Sequence, residues 1–104
     1  MKVRLLAAAL LLCVTATAQA APFANGESGT GKKIFDQHKC NSCHARQLGG
    51  DGNSMFTRAE RKVKTHASLA AQITRCSTNL GLMLFDEDEE HVGAYLNKNY
   101  YKFK

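Results

Sequence analysis

The segment Cys40-Asn41-Ser42-Cys43-His44 carries the clearest chemistry in this sequence. Two thiols in C-x-x-C spacing, followed directly by an imidazole, have the pattern of a c-type haem attachment site. In that chemistry each thiol adds across a vinyl group of the porphyrin and forms a thioether. The imidazole after the second cysteine then lies beneath the iron. Two other chemistries share the C-x-x-C core. A thioredoxin-like redox pair needs a βαβ setting, and no strand-like alternation occurs in the chain. A zinc site needs four ligands, and Cys76, His66 and His91 would have to complete it at irregular spacing. The haem reading is preferred, with Cys40, Cys43 and His44 as its residues.

The axial position opposite His44 decides what such an iron does. Methionine gives a high-potential electron carrier, thiolate lowers the potential, and an open site binds gas molecules. The candidates downstream are Met55, His66, Cys76, Asn79 and Met83. Leu69, Ile73 and Cys76 recur with helical period, so they form one apolar stripe that faces the core, and Leu80 extends it. In so small a domain the core is mostly porphyrin, which makes Cys76 the preferred distal ligand. A bond to iron would also protect a free thiol from oxidation. The plainer reading of Cys76 is a small buried hydrophobe. Met83 is the rival ligand. Its neighbours Leu80, Leu82, Leu84 and Phe85 equally suit simple packing, as Met55 does beside Phe56. His38 and His91 read as surface groups or helix contacts.

Short helices have to carry these residues. Thr30 is placed to cap a helix from Gly31 to about Lys39, with Ile34, Phe35 and His38 on one side. Pro22 to Gly29 reads as a frayed leader. Ala45 to Asn53 holds Gly49, Gly50 and Gly52 and reads as a loop. Ser68 suits the N-cap of a helix through about Arg75. Asn79-Leu80-Gly81 reads as a turn. Asp86 suits the cap of a last helix to about Leu96. The predicted fold is all-α, with three or four helices and long loops that wrap a group.

The chain has 104 residues and a formal net charge of +5, enough for one domain. Residues 1–20 read as a secretory signal peptide, with a basic start at Lys2 and Arg4, an apolar run from Leu5 to Val14, and Ala18-Gln19-Ala20 as cleavage site. The run is too short to span a bilayer, and Leu12 before Cys13 does not fit a lipid anchor. Removing those 20 residues leaves 84, residues 21–104, with twelve basic and nine acidic side chains. Three cysteines remain there, an odd number that excludes a fully paired disulfide framework. The modest charge and the export signal argue against nucleic acid. The acidic run Asp86–Glu90 complements a helix dipole, and Lys98, Lys102 and Lys104 suit its far end. Arg58, Arg61, Lys62 and Lys64 are placed to pair with haem propionates or an acidic partner. Tyr100, Tyr101 and Phe103 either close over the pocket or form a dimer surface.

Gly31-Lys32-Lys33-Ile34-Phe35-Asp36-Gln37-His38-Lys39-Cys40, running into the C-x-x-C-H motif, resembles the N-terminal helix of class I cytochromes c. Asp88-Glu89-Glu90-His91-Val92-Gly93-Ala94-Tyr95-Leu96 is similar to their C-terminal helix. The resemblance implies a small cytochrome c fold around one covalent haem c, with the two helices crossing near Gly31, Phe35 and Tyr95. The family usually has a proline shortly after the histidine, whose carbonyl accepts the other imidazole N–H. Pro22 is the only proline here, so another backbone carbonyl is expected in that role. The usual Met-Pro before the last helix is missing too. Arg61-Lys62-Val63-Lys64-Thr65, Arg75-Cys76, Tyr95-Leu96-Asn97 and Tyr100-Tyr101 resemble the NaxL/NaxS-type monohaem cytochromes c. That likeness implies His44/Cys76 ligation, nitric oxide binding and dimer formation. Cys76-Ser77-Thr78-Asn79-Leu80-Gly81 resembles a run in small oxygen-binding haem proteins, but Arg75 stands where their ligand asparagine is. The combined expectation is a periplasmic, non-enzymatic cytochrome c. It would work as a low-potential redox or nitric oxide/carbon monoxide binding module with a redox partner protein. The alternative is an ordinary electron carrier with a methionine ligand.

Overall fold

A computed structural model describes residues 21–104 together with Leu12, and the expected signal peptide lies otherwise outside the described residues. The described residues are helical, with no strand among them. Helix α1 spans Ser28–Gln37, α2 Ser42–Leu48, α3 Ser54–Thr57, α4 His66–Asn79 and α5 Asp86–Leu96, and a π-helical turn, Asn97–Tyr101, follows α5 directly.

The local signals explain where these elements start, and they correct several expected boundaries. Helix α1 begins before Thr30 because Glu27 is its cap: the Glu27 carboxylate accepts from the backbone N–H groups of Gly29 and Thr30 and from the Thr30 hydroxyl. A carboxylate beside a helix N-terminus also meets the positive end of the dipole. Thr65, not Ser68, caps α4. Ser68 stands at the third position, and the two residues exchange side-chain bonds with each other's backbone N–H in a capping box. Helix α4 consequently starts earlier, at His66, and continues to Asn79. Asp86 is the first residue of α5, and the Phe85 backbone N–H is held at 3.1 Å by the Asp88 carboxylate. The expected loop after His44 is shorter than anticipated, since α2 continues through Leu48.

The tertiary frame is the crossing of α1 with α5. Gly31 makes it possible: a Cβ at this position would collide with the His91 carbonyl and lie 2.9 Å from the Tyr95 Cβ. Close to that point the Phe35 and Tyr95 rings pack with centroids 5.5 Å apart. The Glu27 backbone N–H donates to His91 Nδ1 at 2.8 Å, so His91 is a helix contact. The expected frayed leader is partly packed, with the Phe23 ring lying against Gly93 and the core. Helix α4 is tied to α5 by the Thr74 hydroxyl, which donates to Glu89 at 2.7 Å. The buried core consists of Phe35, Phe56, Leu69, Ile73, Val92, Tyr95 and Leu96.

Candidate functional site

A cleft of about 370 Å³ opens between α2, α3, the basic segment after α3 and one face of α4. Cys40, His44 and Cys76, far apart in sequence, all line it. Leu69 and Ile73 line it with Cys76, so the helical stripe on α4 faces the cleft as its spacing predicts. Leu80 departs from that stripe: it lies at the end of α4 and is exposed. Met83 and Phe85 are 94 % and 74 % exposed, so neither is the packing residue that its apolar neighbours suggested, and Met83 is not part of the cleft wall. Met55 is part of that wall. Its sequence position beside Phe56 suggested packing alone.

Cys43, on the first turn of α2, is exposed and lies outside the cleft wall, with its sulfur 3.3 Å from the Arg46 guanidinium. Burial pushes the Cys40 thiol above its ordinary value, and the nearby Cys76 sulfur adds to this. Cys76 Sγ receives a hydrogen bond from Gln72 Nε2 at 3.2 Å, one helical turn earlier on α4. The three cysteines among the described residues are free thiols. His66, His91 and Cys76 do not converge, and no group of three potential metal-holding His, Cys, Asp or Glu side chains occurs among the described residues.

His44 is held by a residue inside its own motif. Its Nδ1 makes a short hydrogen bond to Asn41 Oδ1. Asn41 is 7 % exposed, and its amide nitrogen donates at 2.8 Å both to the Asp51 carbonyl and to Asn53 Oδ1. A carbonyl only accepts, so the Asn41 amide group must turn its nitrogen to Asp51 and its oxygen to His44. The hydrogen of neutral His44 then sits on Nδ1, and Nε2 keeps its lone pair for a metal. Burial, followed by the charge of Arg58, lowers the His44 pKa and favours that neutral ring. The expected backbone carbonyl is thus replaced by a side-chain amide. Gly52 brings the 49–53 loop close enough: its φ is +78°, and a Cβ there would stand 2.6 Å from the Ala45 nitrogen.

The basic segment and the tail complete the walls. Arg58 and Arg61 line the cleft, and the Nε of each is buried without a hydrogen-bond partner. Buried donors of this kind are rarely left unsatisfied. Of the C-terminal aromatics, Tyr101 lines the cleft, and Tyr100 and Phe103 pack behind it. Tyr100 and Tyr101 pack on Phe56 at 5.3 and 5.8 Å, and Phe103 stacks on Tyr101 at 5.3 Å. The Arg61 guanidinium lies 5.8 Å above the Tyr101 ring. Asn97 fixes this fold-back by bonding both the N–H and the carbonyl of Phe103, at 2.7 and 3.2 Å.

No protein family model, curated protein or solved structure matches this chain.

Proposed function

We propose that the cleft holds one covalent haem c and that the chain is an exported monohaem cytochrome c of class I type with His44/Cys76 ligation. The observation that carries this reading is the convergence of Cys40, His44 and Cys76 on one cleft that the cations Arg58 and Arg61 also line. A porphyrin with paired carboxylates at its edge fits both features. When bound, it would supply one-electron redox chemistry and the capacity to bind nitric oxide or carbon monoxide.

The residues divide the work. Cys40, in the cleft wall, and Cys43, just outside it, would hold the haem through thioethers, each S–H adding across a vinyl double bond with sulfur on one carbon and hydrogen on the other. His44 offers the Nε2 lone pair that Asn41 leaves free. Arg58 and Arg61, which line the cleft, would supply positive charge for the haem carboxylates. Phe56, Leu69, Ile73, Leu96 and Tyr101 keep water out of the interior. Cys76 Sγ, as a thiolate, is a soft charged donor that favours the ferric state and a low potential. The role is that of a redox or gas-responsive module with a partner protein, not an enzyme.

The second reading, an ordinary electron carrier with a methionine ligand, now rests on Met55, which shares the cleft wall with Cys76. Expression with a c-type maturation system, followed by intact-mass measurement and absorption and EPR spectra of the ferric protein, tests both. Thioether-linked haem that disappears in C40A/C43A is expected, with a thiolate signature that disappears in C76A. An unchanged low-spin spectrum in C76A, lost in M55L, would establish the methionine carrier.

A further inference from the structure

The hydrogen bonds around His44 extend beyond Asn41. Asn53 Oδ1 accepts from Asn41, and Asn53 Nδ2 donates at 2.8 Å to both the Asp51 carboxylate and the Tyr100 hydroxyl. The Tyr100 hydroxyl in turn stands 3.4 Å from that of Tyr95 on α5. The relay therefore runs from the π turn at the C-terminus, through Asn53 and Asn41, to the imidazole. Every polar atom of the Asn41 side chain has a partner, in a position that is nearly fully buried. A buried amide so fully bonded has one orientation open to it.

We infer that Asn41 is a positioning residue that fixes the His44 tautomer and ring plane, and that Tyr100 of the π turn holds it in place through Asn53. The inference rests on the haem reading for its consequence but not for its geometry. Acceptors on the far nitrogen of a metal-ligating histidine set its basicity and orientation. A stronger acceptor at position 41 makes the imidazole a better donor and favours ferric iron. A missing acceptor does the reverse. The C-terminal turn, which the Asn97 and Asn99 side chains brace, thereby gains a line of influence on the iron that does not pass through the cleft.

Two measurements test it, and the first does not depend on the haem reading. In the haem-free full-length chain, nitrogen NMR of the His44 ring is expected to show hydrogen on Nδ1. In N41L the other tautomer should rise about fivefold, as the loss of one net hydrogen bond implies. In the haem-loaded protein the reduction potential should move down in N41D and up in N41L, with Y100F moving it up by less than N41L does. A packing role alone would not give opposite signs for leucine and aspartate. Equal tautomer populations in wild type and N41L, or potentials that move the same way in N41D and N41L, would overturn the inference. If N41L does not fold, N41D and Y100F must still move the potential in opposite directions. Absence of thioether-linked haem from the wild type would sink the haem reading while leaving the NMR result to decide the tautomer.

Discussion

At the scale of single residues, the site is a set of polar atoms that make sense only together. Asn41 makes three hydrogen bonds, while Arg58 and Arg61 keep buried donors unused. An unused buried donor costs about 1–3 kcal/mol. Replacing Arg58 by leucine in the haem-free protein should therefore be neutral or stabilising by about 1 kcal/mol. The same change in the haem-loaded protein should destabilise by a similar amount, because a satisfied partner is removed. Denaturant titration of the two forms measures the sign reversal, and equal effects would mean that nothing anionic faces Arg58. Met83 gives a contrasting case. At 94 % exposure it contributes no packing, so M83S should stay within about 0.5 kcal/mol of wild type. Its ferric spectrum should also be unchanged.

At the scale of elements, close approach and capping decide where the helices go. Gly31 sits where α1 meets α5, with the His91 carbonyl in the space a methyl group would need. G31A should destabilise the fold by about 3 kcal/mol, since backbone cannot move aside as a side-chain tip can. The urea midpoint should fall without a change in slope. The start of α1 depends on ionised Glu27. Hydrogen bonds from the Thr30 side chain, then from the Thr30 and Gly29 backbone, lower the carboxyl from its ordinary 4.5 to about 2. A group with a depressed folded pKa contributes stability above its unfolded value and loses that contribution as pH falls through the folded one. The Glu27 contribution is thus intact above about pH 4.5 and fades toward pH 2. Thermal melts of E27Q and wild type should differ at neutral pH and converge at the acid end. A constant difference would remove the carboxylate from the cap.

At the scale of the molecule, one small core serves two purposes. Phe56, Leu69, Ile73 and Leu96 belong both to the core and to the cleft wall. The protein interior is therefore completed by whatever fills the cleft. Loading with haem should raise the melting temperature well beyond that of the C40A/C43A protein, because a group bound only to the folded state stabilises it by mass action and by filling space. L69A, at a residue 2 % exposed, should cost about 3 kcal/mol. The loss should be similar in both forms if Leu69 packs chiefly on protein, and larger with haem if it packs on the porphyrin.

Much of this was legible along the chain. The Leu69, Ile73, Cys76 period placed Cys76 on the face of α4 that lines the cleft because helical geometry alone aligns those positions. Glu27 was missed as a cap because glutamate is not a favoured N-cap residue, although its longer side chain can reach back to the first free N–H groups. The exposure of Leu80, Met83 and Phe85 contradicts what apolar composition implies, since hydropathy carries no information on whether a neighbouring element arrives to cover a loop. Asn41 occupies one of the two variable positions of the motif. Its role as partner of His44 depends on a glycine-rich loop and a C-terminal tyrosine that only folding brings beside it. Local spacing fixes which atoms share a helix face, whereas hydrogen-bond closure across distant segments exists only once those segments meet in space.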